Sequence, residues 1–227
     1  MKIIPALLTA SETEFVQQFE TVARYYHHFS VDILDGKYAD NVTIQIPQLE
    51  ALLTAGKLKI PEGSVIDFDL MVLDYEACLR ELETIADTVT IGRAFIHSSV
   101  LKGKALPVSD KITIGISIDP EETIDDLDRI YNLKSIDSVQ IMTIVPGFQG
   151  SPFMMNLYNK VIQMRRLGYK TKIFIDGGVN NKSIPDILQT GVTPDFACVG
   201  SFLTHAPNIQ ERVDYLTEVL GEGHMRG

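Results

Sequence analysis

The sequence predicts an α/β protein of the (β/α)8, or TIM, barrel class, and three observations carry this prediction. Short apolar runs rich in β-branched residues alternate with amphipathic stretches along the whole 227-residue chain. The apolar runs are nearly continuous, as expected of parallel strands that are buried on both faces. Eight such runs occur without a break in composition, which favours one barrel over two small domains.

The predicted elements alternate in chain order. Strands are expected at residues 2–8, 28–34, 64–71, 88–91, 111–118, 138–145, 171–175 and 196–199. Helices are expected at 12–26, 47–55, 75–85, 124–132, 152–167, 184–190 and 209–220, and the connection 93–110 has a weak helical pattern. We expect the barrel to fill residues 1–220 and residues 221–227 to form a flexible tail. A doubly wound open sheet is the alternative, but its glycine-rich turn after the first strand is missing.

Composition excludes several classes of partner. The net charge is −10 and no cluster of lysine or arginine occurs, so we expect no nucleic-acid partner. No apolar run is long enough to cross a bilayer, and residues 1–5 lead directly into a strand without signal-peptide features. Cys78 and Cys198 are expected to be reduced core thiols. These features predict a cytoplasmic protein without a membrane partner. They are compatible with a homo-oligomer.

Three apolar runs carry aspartates towards their carboxyl ends: residues 31–36 (VDILDG), 65–71 (VIDFDLM) and 172–178 (KIFIDGG). A buried carboxylate is costly unless it pairs, binds a metal or takes part in chemistry. Active sites of barrels lie at the carboxyl ends of the strands. If the aspartate-bearing faces of these strands line the lumen, Asp32, Asp69 and Asp176 converge there with Ser30.

Glycines predict a second part of the site. Gly177-Gly178 and Gly200-Ser201 follow the seventh and eighth strands, where barrels commonly bind phosphate. Glycine allows the backbone to approach an anion, so amides could hold it in this acidic protein. Residues 146–151 (PGFQGS), with Gly147 and Gly150 around a bulky tip, predict a loop that closes over a substrate.

Five motifs in order resemble the ribulose-phosphate 3-epimerase family. They are residues 31–36 with Asn41, residues 67–72 (DFDLMV), residues 119–123 (DPEET) with 141–150 (IMTIVPGFQG), residues 176–178 (DGG) and residues 199–201 (VGS). The resemblance covers nearly the whole chain. It implies an isomerase of carbohydrate metabolism that inverts C3 of a ketopentose phosphate through an enediolate. By motif position, Asp32 and Asp176 are the acid and base, and Met71 and Met142 pad the reacting carbons.

The chain departs from the family at the metal site. The resemblance implies a divalent metal held by two histidines and two aspartates, but Ser30 and Asp69 stand at the histidine positions. Ala6, Leu34 and Ser151 also replace a family serine, methionine and glutamine. Two outcomes follow. Either Asp32, Asp69 and Asp176 form an oxygen-only site that favours Mg²⁺ or Mn²⁺ over Zn²⁺, or no metal binds and the crowded carboxylates repel each other.

The leading hypothesis is therefore a ribulose-phosphate 3-epimerase-like isomerase, with ribulose 5-phosphate as the simplest substrate. The alternatives are an epimerase of another phosphoketose and a non-catalytic or regulatory barrel that binds a phosphosugar. A Schiff-base aldolase is disfavoured because the inner part of the sixth strand has no lysine. Asp35 is interpreted as a turn former, and His97 and His205 as ordinary surface or loop residues.

Overall fold

Eight parallel strands close into a barrel in the computed structural model, which describes residues 1–147 and 150–225. The strands follow one another around the barrel in chain order, and β1 pairs with β8 to close it. They are β1 (Lys2–Leu7), β2 (His28–Leu34), β3 (Val65–Met71), β4 (Thr90–His97), β5 (Thr113–Ile118), β6 (Ser138–Met142), β7 (Lys172–Asp176) and β8 (Phe196–Val199). The predicted (β/α)8 barrel is thus confirmed.

Helices follow every strand. They are α1 (Glu12–Val22), α2 (Ile46–Thr54), α3 (Tyr75–Ile85), α4 (Ser98–Leu101), α5 (Ile124–Tyr131), α6 (Met155–Arg166), α7 (Ser183–Gln189), α8 (Ser201–Thr204) and α9 (Ile209–Leu220). Short 3₁₀ turns occur at Leu133–Ser135 and Glu222–Met225. Several helices begin at a side-chain cap: Ser11, Asp74 and Thr123 each accept a hydrogen bond from a backbone amide three residues ahead.

The apolar side chains form two cores because strand residues alternate between the two faces of the barrel wall. The larger core lies between the strands and the surrounding helices and includes Phe19, Val31 and Ile141. The smaller core fills the lumen with Ile4, Ala6, Phe95, Phe174 and Cys198. The Phe95 and Phe174 rings meet edge to face with centroids 4.9 Å apart. These rings close the lumen beneath the level where β2, β3 and β7 carry their terminal aspartates.

Strand β4 was predicted too short. The sequence prediction ended it at residue 91, because Gly92-Arg93 interrupts the apolar run, whereas the strand continues to His97. The Arg93 side chain is accommodated inside: its Nε donates to Ser138 Oγ at 2.7 Å, and its guanidinium lies 5.1 Å from the Phe174 ring centroid. The charged residue therefore does not end the strand.

Two other boundaries differ from the predictions. Strand β6 ends at Met142 and not at residue 145, because Thr143 N turns to donate to Asp176 O at 2.7 Å across the strand ends. Within the predicted tail, Glu222–Met225 form a 3₁₀ turn in which His224 is buried. His224 Nδ1 lies 2.6 Å from Gly221 O, which ties the turn together.

Substitution of Gly115 tests how tightly the lumen is packed. An added Cβ at this position would lie 2.6 Å from the Phe95 ring and 3.1 Å from Ser138 O. We expect Gly115→Ala to lower the free energy of unfolding by roughly 1–3 kcal/mol, because overpacking displaces Phe95. Urea denaturation measures this change. Gly223→Ala is the control, since its Cβ would meet no atom within 4 Å. Equal stability of the two variants would contradict the packing described.

Candidate active site

The aspartates of β2 and β3 lie side by side in the barrel. Asp32 and Asp69 are register partners in the β2–β3 pair, and both are buried. Asp176 ends β7 and pairs in register with Met142 on β6 and Cys198 on β8. Thr43 holds the end of β2, since its hydroxyl donates to Asp32 O at 2.6 Å and accepts from Leu34 N at 2.9 Å.

The three aspartates converge as predicted. One carboxylate oxygen from each of Asp32, Asp69 and Asp176 lies within 4.8 Å of the others. Asp32 Oδ1 and Asp69 Oδ2 are fully buried and have no hydrogen-bond partner among the described residues. Buried carboxylate oxygens without donors are costly unless a proton or a cation occupies the space between them. Three hard oxygen donors suit a divalent cation such as Mg²⁺ or Mn²⁺.

Crowding and burial shift the protonation of this cluster. Burial, with a smaller contribution from the charge of Asp69, raises the pKa of Asp176 to about 7, against the lowering effects of His97 and the Gly177 amide. Burial and the charges of Asp176 and Asp69 raise the pKa of Asp32 well above its usual value. A carboxyl group whose pKa lies near neutrality can exist as acid or base under physiological conditions. Of the two residues predicted to transfer protons, Asp176 thus has a pKa near neutrality, and the pKa of Asp32 is shifted in the same direction.

His97 belongs to the site, and its interpretation as a surface or loop residue was wrong. It ends β4, is fully buried, and its Nε2 lies 3.1 Å from Asp69 Oδ1. Its Nδ1 lies 2.6 Å from Asp119 Oδ1. Burial alone lowers the pKa of His97, but the two carboxylates outweigh this effect and raise it to about 10. The imidazole is therefore protonated at neutral pH and donates to both aspartates.

Tyr38 and Ser99 complete this network. The Tyr38 hydroxyl donates to Asp119 Oδ1 at 2.7 Å and lies 2.8 Å from His97 Nδ1. Ser99 Oγ donates to Asp119 Oδ2 at 2.5 Å. Hydrogen bonds from His97 and these hydroxyls overcome the effect of burial and lower the pKa of Asp119. A continuous set of hydrogen bonds, fully buried around His97 and partly buried at Tyr38 and Ser99, thus joins the loop after β2 to the carboxylate cluster.

A cavity of about 290 Å³ opens above the aspartates. Its lining includes all eight residues predicted to contact a substrate or a phosphate and both aspartates predicted as acid and base: Asp32, Met71, Met142, Gly147, Gly150, Asp176, Gly177, Gly178, Gly200 and Ser201. Lys182 is the one lysine or arginine among its described lining residues. The tip of the predicted closing loop, Phe148-Gln149, lies outside the described residues. Asn41 Nδ2 donates to Gly147 O at 2.7 Å, which joins that loop to the one after β2.

Gly177 and Gly178 both have positive φ angles, 111° and 68°. An added Cβ at Gly178 would lie 2.6 Å from Phe153 N. Only glycine can bring the backbone after β7 this close to the loop after β6. The predicted glycine loops, Gly177-Gly178 and Gly200-Ser201, form one wall of the cavity, called the glycine wall below.

The other polar residues of the lumen lie deeper or outside. Ser30 is the register partner of Asp67, one inward position below Asp32, and it does not line the cavity. His28 Nε2 lies 2.7 Å from Asp67 Oδ2, so this histidine contacts an aspartate outside the carboxylate cluster. His205 is half exposed on α8's C-terminal side. Asp35 is a turn former, as predicted, and accepts from the amides of Lys37, Tyr38 and Leu73.

Parallel closure of the barrel, with acidic residues and glycine loops at the carboxyl ends of its strands, is the arrangement typical of (β/α)8-barrel enzymes. The family model for the ribulose-phosphate 3-epimerase family matches residues 2–203. The chain belongs to this family.

Curated relatives agree with the family assignment. A ribulose-phosphate 3-epimerase from Helicobacter pylori (strain J99) is 27% identical over 96% of this chain and 98% of its own length. Its namesake from Escherichia coli K12 is 24% identical over 86% of this chain and 84% of its own. Among solved structures, 3-hexulose-6-phosphate synthase from Salmonella typhimurium has the same fold, with a TM-score of 0.62, 15% identity, and coverage of 99% and 100% of the two chains. None of the described helices is long and apolar enough to cross a membrane.

The raised pKa of Asp176 predicts a pH-dependent stability. Since its folded-state pKa lies above the unfolded value of 3.8, it lowers stability as the pH rises from about 4 to 7. We expect Asp176→Asn, without divalent ions, to raise the free energy of unfolding at pH 8 by roughly 1–2 kcal/mol. The gain should be smaller at pH 4.5. Urea titrations at both pH values measure it.

Asp35→Asn is the matched control for this prediction. Backbone amides overcome partial burial and lower the pKa of Asp35, so its charge is favoured in the fold. The same substitution there should reduce stability at pH 8. A loss of stability in Asp176→Asn at pH 8 would contradict the prediction. It would show that neighbouring groups stabilise the Asp176 charge in the folded protein.

Proposed function

We propose that the protein is an epimerase that inverts C3 of a ketopentose phosphate, most simply ribulose 5-phosphate. One observation carries the proposal: Asp32 and Asp176 approach one cavity from different sides of the barrel, with β8 and β1 between their strands. Both have pKa values raised towards the pH at which they would work. Family membership supports the same reaction class.

The chemistry needs one proton carrier on each face of C3. One carboxylate removes the C3 proton, the electron pair of that C–H bond forms a C2–C3 double bond, and the π electrons of the C2 carbonyl move onto its oxygen to give an enediolate. The other residue, in its acid form, returns a proton to the opposite face. No atom is gained or lost, and the two aspartates exchange protonation states. Met71 and Met142, both buried at the base of the cavity, would exclude water from the planar intermediate.

Asp32, Asp69 and Asp176 would hold a divalent cation, with Mg²⁺ or Mn²⁺ favoured over Zn²⁺. The unpartnered oxygens of Asp32 and Asp69 support this assignment. When bound, such a cation supplies positive charge that stabilises the enediolate oxygens. The residues themselves would set the approach of the substrate, since Asp32 and Asp176 line the same cavity as the glycine loops.

The glycine wall is proposed to bind the substrate phosphate. Gly177-Gly178 and Gly200-Ser201 line one region of the cavity together with Lys182. Backbone amides are suitable donors to phosphate and need no arginine cluster. Lys182 adds the positive charge that this region otherwise lacks. The cavity volume of about 290 Å³ suits a small sugar phosphate.

The reaction is tested by proton exchange. In D₂O with Mn²⁺ or Mg²⁺, we expect ribulose 5-phosphate to gain deuterium at C3 and to form its C3 epimer, as followed by NMR. Asp32→Asn and Asp176→Asn should each slow epimerisation by about 10²–10⁴-fold, because each face loses its proton carrier. Asp67→Asn is the matched control, since this buried aspartate lies one inward position below Asp69.

Three outcomes separate the alternatives. Full activity in either aspartate variant would refute the two-aspartate mechanism. Binding of ribulose 5-phosphate without exchange at C3 would favour the non-catalytic phosphosugar-binding barrel. Exchange with another phosphoketose, but not with ribulose 5-phosphate, would keep the mechanism and change the substrate.

The phosphate site has its own test. We expect Ser201→Glu to weaken inorganic phosphate binding by at least about tenfold, because the new carboxylate repels the anion at short range. Thr84→Glu adds the same charge on the exposed face of α3 and should have little effect. Phosphate titrations followed by ³¹P NMR compare the two. Unchanged binding in Ser201→Glu would place the phosphate elsewhere.

A further inference from the structure

Asp69 differs from Asp32 and Asp176 in that one of its oxygens is held by a histidine. Asp69 Oδ1 lies 3.1 Å from His97 Nε2, whereas Asp69 Oδ2 is buried without a hydrogen-bond partner among the described residues. Both side chains are fully buried, and Asp69 pairs in register with Phe95, two residues before His97. The imidazole therefore occupies one oxygen and leaves the other for the carboxylate cluster.

The imidazole is itself fixed at its far side. Asp119 Oδ1 accepts from His97 Nδ1 at 2.6 Å, and Asp119 in turn receives hydrogen bonds from Tyr38 and Ser99. The Tyr38 ring also packs against the imidazole, with centroids 4.7 Å apart. With donors or acceptors at both nitrogens and a ring on its face, His97 has one available orientation. The direction of its Nε2–H bond is thereby set.

We propose that His97 is a positioning residue for Asp69. By holding Oδ1, it turns Oδ2 towards Asp32 and Asp176 and so makes Asp69 a usable ligand for a divalent cation. The inference rests on the proposed metal site. It connects the end of β4 to the metal site through the hydrogen bonds from His97 to Asp119 and to Asp69. His97 orients a ligand and is not itself proposed as a ligand. Hydrogen-bonded supports of this kind orient the ligands of metal sites and affect metal affinity.

The barrel offers a matched comparison. His28 and Asp67 form a second buried histidine–aspartate pair, with 2.7 Å between Nε2 and Oδ2, at a lower level of the lumen. Asp67 is not part of the carboxylate cluster. Loss of either histidine leaves a buried aspartate without its partner, so both losses should reduce stability. Only the loss of His97 should change Asp69.

Manganese affinity of the full-length protein tests the proposal. We expect His97→Leu to weaken Mn²⁺ binding by about 10–100-fold in isothermal titration. His97→Gln should stay closer to the parent, because the Gln Nε2 can still donate to Asp69. His28→Leu should bind Mn²⁺ as the parent does, despite a comparable fall in Tm. Asp119→Ala, which acts on Asp69 only through His97 in the described contacts, should weaken Mn²⁺ binding in the same direction.

Several results would overturn the proposal. One is parent-like Mn²⁺ affinity in His97→Leu, or in Asp119→Ala if His97→Leu does not fold. Another is an equal loss of affinity in His28→Leu, which would indicate a general effect of stability. If the parent binds no Mn²⁺, the proposed metal site fails, and crystal structures of the parent and His97→Leu decide the positioning role. An unchanged Asp69 carboxylate in His97→Leu would then refute it.

Discussion

The burial of three carboxylates at one level of the lumen is the constraint on which the rest of the structure depends. Asp32, Asp69 and Asp176 approach each other within 4.8 Å, with little water to separate their charges. Such a cluster opposes folding, and only a barrel closed by continuous strand pairing keeps it together. The free energy that offsets this cost comes from the burial of the large apolar core outside the strands. Sites of function commonly break local rules in this way.

The lumen is organised in levels because each strand contributes every second residue. At the lower level, Arg93, His28 and Asp67 meet aromatic rings and one another: His28 Nε2 lies 2.7 Å from Asp67 Oδ2, and the Arg93 guanidinium lies 3.8 Å from Asp67 Oδ1. At the upper level, the charges are mainly negative and face the cavity. The same residue types thus stabilise the barrel at one level and create an unsatisfied site at the next. The levels differ in their number of carboxylates: one contacts Arg93 and His28 below, whereas three converge above and one of them contacts His97.

Much of the fold and of the carboxylate site follows from sequence periodicity. The alternation of strands and helices predicts the barrel. The period-two spacing of strand residues, together with the position of the aspartates near the strand ends, predicts that the three aspartates converge. His97 could not be found in this way, because Gly92-Arg93 breaks the apolar run of β4. Arg93 is accommodated through long-range contacts with Ser138 and Phe174, which no local pattern records. The apolar triplet Ala94-Phe95-Ile96 before His97 was the signal that could have extended the strand.

Gly177 and Gly178 have a consequence for the dynamics of the cavity. Their missing side chains let the backbone after β7 pack directly on Ile144 and Phe153, which flank the loop after β6. Thr143 reinforces the contact, with its hydroxyl 2.6 Å from Gly177 O. These contacts join the two strand ends directly. The proposed phosphate would therefore meet donors that the fold already holds in place, and the conformational entropy of this wall would be lost during folding and not upon ligand binding.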